Sequence, residues 1–105
     1  MQVLKGTLDV IILKTLSWGP LHGFAIAAAI TEQFAGDLEL EEGAMYQSLR
    51  RMEERGWLTA EWGASENNRR ARFYRLSAKG RQQLRTETAS WERYSSALSR
   101  LLRST

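Results

Sequence analysis

The stretch "WLTAEWGASENNRRARFYRLS" runs from Trp57 to Ser77, and its reading decides the fold. Its first six residues alternate. Leu58, Ala60 and Trp62 share one face, and Thr59 and Glu61 share the other, the period of two that a half-buried strand requires. "ARFYRLS" is strand-like as well, and between the two lies "GASENNRR", polar and rich in turn formers. Two strands joined in this way make a β-hairpin. Four arginines fall between Arg69 and Arg75, so positive charge gathers at and beside the hairpin tip.

Helical periodicity surrounds this hairpin. Upstream, "EEGAMYQSLRRMEERG" places Met45, Leu49 and Met52 on one apolar face, which leaves Ala44, Gln47, Ser48 and Arg51 pointing elsewhere. Its acids precede its arginines, as the helix dipole prefers, and Gly56 is the expected C-cap. Nearer the N-terminus, "TLDVIILKTLSWG" predicts a helix capped by Thr7, with Leu8, Ile11, Ile12 and Leu16 as its stripe and Gly19-Pro20 as its end. A second helix is expected over about Leu21 to Phe34, with Phe24, Ile26, Ile30 and Phe34 as its larger apolar residues and Gly36 as its stop. Downstream, Ser77 should cap a last helix from about Ala78 to Leu102. Leu84, Trp91 and Leu98 recur there every seven residues, with Tyr94 and Leu101 three further on. The order is helix, helix, helix, hairpin, long helix. The chain therefore reads as mainly α with a β-hairpin: a winged helix-turn-helix over residues 1–77 and a C-terminal dimerisation helix over 78–105.

Composition narrows the function. The chain has 105 residues, one histidine and no cysteine, so the usual zinc ligands are lacking. A Ser-His-Asp triad would have to use His22, and no nucleophile elbow or Gly-rich phosphate loop is present. An enzyme is not expected, nor a cofactor or a metal. The apolar run from Leu21 to Ile30 is shorter than the roughly 20 residues that cross a bilayer, so no membrane partner is expected. "MQVLKGTLDV" does not resemble a signal peptide, and with the absence of cysteine this predicts a cytoplasmic protein. The net charge of +3 conceals an asymmetry. Residues 1–45 hold two lysines against six acids (−4), residues 46–85 ten basic residues against four acids (+6), and residues 86–105 three against two (+1). Charge concentrated in this way is the footprint of a nucleic-acid partner.

In a winged helix the third helix enters the major groove, and outward from the core means toward the bases. Gln47, Ser48 and Arg51 are then candidate base-contacting residues. Arg69, Arg70 and Arg72 would form a wing on the flanking backbone or minor groove; the alternative is a solubilising loop tip. Arg75 reads as structural, paired with an acid such as Glu61. Lys14 and His22 are candidate phosphate contacts near the start of the second helix, where exposed amides favour anions, although His22 serves equally well as a structural residue. The stripe of Leu84, Trp91, Tyr94, Leu98 and Leu101 would associate with a second copy, the alternative being packing on its own domain. Trp57 and Trp62 read as core or hairpin packing, and Trp18 as an addition to the dimer seam.

The segments "LKGTLDVIILKTL", "LHGFAI", "GAMYQSLRRMEERGWL" and "RFYRLSAKGRQQL" resemble, in this order, the PadR family of bacterial transcriptional regulators, in particular its short members with one C-terminal helix. Where those members often carry Tyr, this chain has His22; where they carry Pro or Gly, it has Gln47; and its wing reads "NNRRAR". The resemblance implies a homodimeric repressor of palindromic double-stranded DNA. It further implies Tyr46 on phosphate, beside the bland alternative that Tyr46 only covers its helix. Some relatives respond to phenolic acids or flat hydrophobic drugs and carry a Trp at a similar point of the last helix. Trp91 is thus a candidate site for a small aromatic effector; filling the interface is the alternative. Two rival functions use the same fold, a protein-interaction module without DNA and an RNA-binding winged helix.

Overall fold

A computed structural model describes residues 1–105 as α1 (Leu8–Leu16), β1 (Leu21–His22), α2 (Gly23–Gln33), α3 (Glu42–Glu54), β2 (Leu58–Ala64), β3 (Arg70–Leu76) and α4 (Ala78–Arg103). The expected winged helix-turn-helix with a long C-terminal helix is observed. One strand was not expected. Leu21 and His22 do not begin α2 but pair antiparallel with Tyr74 and Phe73, giving a sheet in the order β1-β3-β2. The His22 imidazole then caps α2, its Nδ1 accepting from the Ala25 amide at 3.2 Å. A two-residue strand has no periodicity to detect, which is why the apolar "LHGFAI" reads as all helix.

The core consists of Ile12, Leu13 and Leu16 of α1, Ile26 and Ile30 of α2, and Met45, Leu49 and Met52 of α3, closed by Leu38, Leu58, Tyr74 and Leu76. Each full burial contributes about 1.5–3 kcal/mol. Leu13 is buried although it lies beside the expected stripe, because α1 is covered by α2, α3 and α4 together. Of the larger apolar residues of α2, Ile26 and Ile30 are core, whereas Phe24 stands 72% exposed at its start. Thr7 precedes α1 without capping it; its hydroxyl donates back to Leu4 O at 2.7 Å.

Chain reversals follow local chemistry. Gly56, at φ +80°, ends α3 and lets Trp57 N reach Met52 O at 2.9 Å, a conformation that a Cβ would strain. At the hairpin tip Asn68 adopts φ +56°, which asparagine tolerates, and its amide bonds Ser65 O at 2.8 Å. Ser77 caps α4 as expected, accepting from the Gly80 amide at 3.0 Å. The start of α4 presses on the chain before β2: a methyl group on Gly80 would collide with the Trp57 carbonyl oxygen. From there α4 extends for 26 residues, about 39 Å at 1.5 Å per residue, and accounts for the 57 Å long axis of the molecule.

Candidate nucleic-acid interface

The core contacts of α3 define which side chains remain available. Residues advance about 100° each around a helix. With Met45, Ser48, Leu49 and Met52 buried, the opposite side carries Gly43, Gln47, Arg50 and Glu54, with Tyr46 next to it. Ser48 is only 5% exposed, so its outward placement is corrected: it lies between two core residues of the same turn. Arg50, which the charge count alone did not single out, is exposed and unpaired. The signal was present in the sequence, since Arg50 is three residues on from Gln47 and lies nearly opposite Met45, Leu49 and Met52.

The two flanks of α3 are occupied by ion pairs of opposite polarity. On one side Arg51 Nη2 bonds Asp9 Oδ1 of α1 at 2.5 Å. On the other Glu53 receives both Nη1 and Nη2 of Arg72 from β3, at 2.9 and 2.6 Å, a bidentate pair. The hydrogen bond to Glu53 raises the Arg72 pKa further above its ordinary value. Sheet register explains why Arg72 turns inward. It alternates with Tyr74 and Leu76, both buried, and so sits on the face of β3 that looks toward α3.

The other wing arginines have different settings. Arg69 is exposed at the turn. The Arg70 guanidinium lies 4.6 Å from the centre of the Trp62 ring, on the same face of the hairpin as Arg72. Trp62, within β2, is 59% exposed, so of Trp57 and Trp62 only Trp57 packs against the core. Arg75 pairs in register with Thr59 and donates to its hydroxyl at 3.2 Å; the expected partner, Glu61, stands opposite Phe73 instead.

Tyr46 joins α3 to the start of α2. A methyl group on Gly23 would run into the Tyr46 ring, so glycine there lets the phenol lie across the helix end. Burial first, then the charge of Glu42 and the proximity of Tyr74, raise the Tyr46 pKa above its ordinary value of 10.0. His22 is buried, with Nε2 unbonded at 3.8 Å from the Glu66 carboxylate of the wing turn and its ring edge-on to Phe73. Its Nδ1 is engaged in the cap of α2. Lys14 is exposed on α1, its ammonium 5.4 Å from the Trp18 ring, with no ion pair to α3 or the wing.

On α4 the heptad stripe divides. Leu84 packs against the core of its own domain. Trp91 is 41% exposed and closes an apolar hollow of about 280 Å³ with Val3, Leu4, Val10, Ile11 and Phe34. Beyond it, Tyr94, Leu98, Leu101 and Leu102 are uncovered. Trp18 is likewise exposed at the end of α1.

Residues 12–86 match the sequence profile of the transcriptional regulator PadR-like family. Solved structures share the architecture. A PadR-like transcriptional regulator from Bacillus cereus superposes with a TM-score of 0.83 at 25% identity, covering 97% of each chain. A transcriptional regulator from Clostridium thermocellum gives 0.86 at 23% identity, over 95% of this chain and 94% of that one. Bacillus subtilis PadR in complex with operator DNA gives 0.69 at 22% identity, over 79% of this chain and 47% of that one.

Proposed function

Because this chain belongs to the PadR-like family of transcriptional regulators, DNA-binding proteins and not enzymes, we propose that it is a homodimeric repressor of a palindromic operator, relieved by a small aromatic effector. One observation carries the reading: the solvent side of α3, with Tyr46, Gln47 and Arg50, is exposed, and the hairpin adds Arg69 and Arg70, neither of them paired with a carboxylate. Gln47 and Arg50 have the donor geometry that reads base edges, Arg preferring guanine and Gln adenine. The protonated Tyr46 hydroxyl and the two wing arginines suit phosphate oxygens, which position a protein without specifying sequence. That B. subtilis PadR occurs with operator DNA supports double-stranded DNA as the partner.

The dimer follows from α4. Tyr94, Leu98 and Leu101 are 63%, 39% and 69% exposed, an apolar stripe that a single copy leaves in water and a second copy would cover. Two-fold symmetry would set two α3 helices about one DNA turn, ~34 Å, apart and so require a palindrome. For the effector, Trp91 and Tyr94 stand 6.2 Å apart beside Glu87, whose Oε2 lacks a hydrogen-bond partner. Glu87 Oε1 accepts from Gln83 at 3.3 Å, so two ring faces and one buried, unpartnered carboxylate oxygen suit a flat aromatic ligand that carries a hydrogen-bond donor. A regulator of chromosomal genes works in the cytoplasm, and no helix here is long and apolar enough to cross a membrane.

Footprinting the purified protein on its own promoter tests the reading, with two symmetric protected half-sites expected. Protection of no duplex would instead support the protein-interaction module. Planar aromatic compounds that carry a hydrogen-bond donor should quench Trp fluorescence and release the DNA, and both effects should vanish in Trp91→Ala.

A further inference from the structure

Glu53 is a paradox on a helix that faces a polyanion. A carboxylate there repels phosphate, and Glu54 and Glu42 already supply negative charge to the same helix. Glu53, however, does not point at solvent. It lies on the flank of α3 toward the sheet and holds both terminal nitrogens of Arg72, with side-chain exposures of 28% and 40% for the two partners. The planar fork of a guanidinium fixes angle as well as distance when both nitrogens are bound. Arg72 is two residues along β3 from Arg70, on the same face. Across the hairpin, Trp62 pairs with Arg72 in register while its ring lies under the Arg70 guanidinium. The chain of contacts thus runs from α3 through Glu53 and Arg72 to Trp62 and Arg70.

We propose that Glu53 is a positioning residue for DNA binding: by clasping Arg72 it sets the angle of the wing relative to α3, so that Arg69 and Arg70 meet the backbone while α3 sits in the groove. This rests on the DNA-binding role assigned above and adds a residue that touches no DNA. Leu58, Tyr74 and Leu76 hold the base of the hairpin in the shared core, so the clasp acts on its outer half. Between the first residues of β2 and the tip, Glu53–Arg72 is the only ion pair joining the hairpin to α3.

The sign of one substitution separates this from plain electrostatics. If charge alone mattered, Glu53→Gln would remove a repulsion and free Arg72 for phosphate; affinity would rise and the salt slope would steepen by about 1. With a positioning role, affinity falls roughly tenfold although the protein has become more positive, and the slope becomes shallower by about 1–2 as wing contacts are lost. The probe is a fluorescent duplex recovered by the wild-type protein from a random-sequence pool, titrated at several salt concentrations. The charge-swapped double variant Glu53→Arg with Arg72→Glu should regain most of the affinity. Amide exchange of the free protein gives a second readout, with faster exchange expected in β2 and β3 of Glu53→Gln and unchanged rates in α1 and α2. Equal or tighter binding by Glu53→Gln, or unaltered exchange in the hairpin, overturns the proposal. Failure of the wild-type protein to recover any duplex overturns the DNA-binding reading itself, and altered exchange alone would then leave Glu53 a stabilising residue only.

Discussion

Arg50 and Arg51 are neighbours with the same charge, yet they should fail in different assays when truncated. Arg51→Ala leaves the Asp9 carboxylate, 18% exposed, without its guanidinium. A fully buried pair broken on one side costs about 3–5 kcal/mol, but Arg51 is itself 43% exposed, so solvent screens much of that. Asp9 also lies in the first turn of α1, where the helix dipole returns about 0.3–1 kcal/mol. The net expectation is a destabilisation of about 1 kcal/mol with only a modest loss of DNA affinity. Arg50→Ala removes an unpaired surface side chain, so stability should stay within about 0.5 kcal/mol. Its loss should appear in binding, about 1–3 kcal/mol or roughly 5–150-fold, and at particular base pairs rather than on every duplex. Urea melts followed by Trp fluorescence, at one fixed protein concentration, measure the first quantity. Anisotropy titrations on a duplex and its single-base variants measure the second. If Arg51→Ala melts like the wild type while losing more affinity than Arg50→Ala, the assignment of the outward face of α3 is wrong.

Other expectations are as specific. Leu98→Glu puts a charge into the exposed stripe of α4 and should halve the mass seen by light scattering while leaving the circular dichroism of the winged helix intact; an unchanged mass would place the dimer contact elsewhere. Gly80→Ala should destabilise by about 1–3 kcal/mol despite the ~1 kcal/mol advantage of alanine in helices, because the Trp57 carbonyl cannot yield. Gly43→Ala, whose new Cβ would meet only Glu41 Oε1 at 3.7 Å, should be neutral or stabilising; a urea midpoint for Gly80→Ala at or above that of the wild type would contradict the packing described for α4. The fold holds the Tyr46 proton to higher pH than the unfolded chain does, so this stabilising contribution is complete below pH 10.0 and is lost as pH rises toward the folded value. Tyr46→Phe should therefore lose less stability than the wild type in urea melts taken above pH 10.0.

Much of the fold was legible because its elements announce themselves by period. Met45, Leu49 and Met52 at helical spacing are core in the structure; of the alternating face of β2, Leu58 is core, Ala60 is partly buried against it and Trp62 is exposed. The Ser77 cap and the Gly56 terminus follow from what those side chains can and cannot do. What escaped was long-range. β1 exists only because β3 offers it an edge, and two residues carry no pattern. Arg51 and Arg72 look like neighbours of Arg50 and Arg70 in the sequence; only the approach of α1 and β3 to either side of α3 gives them Asp9 and Glu53 as partners. The alternation of Arg72 with Tyr74 and Leu76, and the helical angle between Arg50 and Arg51, carried the signal, but reading Arg72 as a wing contact and Arg51 as outward-facing did not use it.

The ten basic residues between 46 and 85 therefore overstate the charge that this face can give to DNA. Arg51 and Arg72 are neutralised by carboxylates, and Arg75 is tied to Thr59 on the far side of the hairpin. Lys79, Arg81 and Arg85 belong to α4. Arg55, at the end of α3, lies over the Trp57 ring, and Arg50, Arg69 and Arg70 remain as the other guanidinium groups without a carboxylate partner on α3 and the wing. A pair of arginines spent on holding α3 by both flanks has a physical logic. Base readout depends on hydrogen bonds that weaken steeply when distance and angle are wrong, so a helix free to roll would lose discrimination while keeping its charge. Ion pairs of opposite polarity, Arg51 donating to α1 and Glu53 accepting from β3, resist roll in both directions. They also lower the net positive charge of the face, which weakens indiscriminate attraction to every duplex more than it weakens contacts to a matching site. On the DNA-binding role proposed for α3, the same four side chains would favour specificity twice, by fixing the helix and by reducing the non-specific attraction with which it competes.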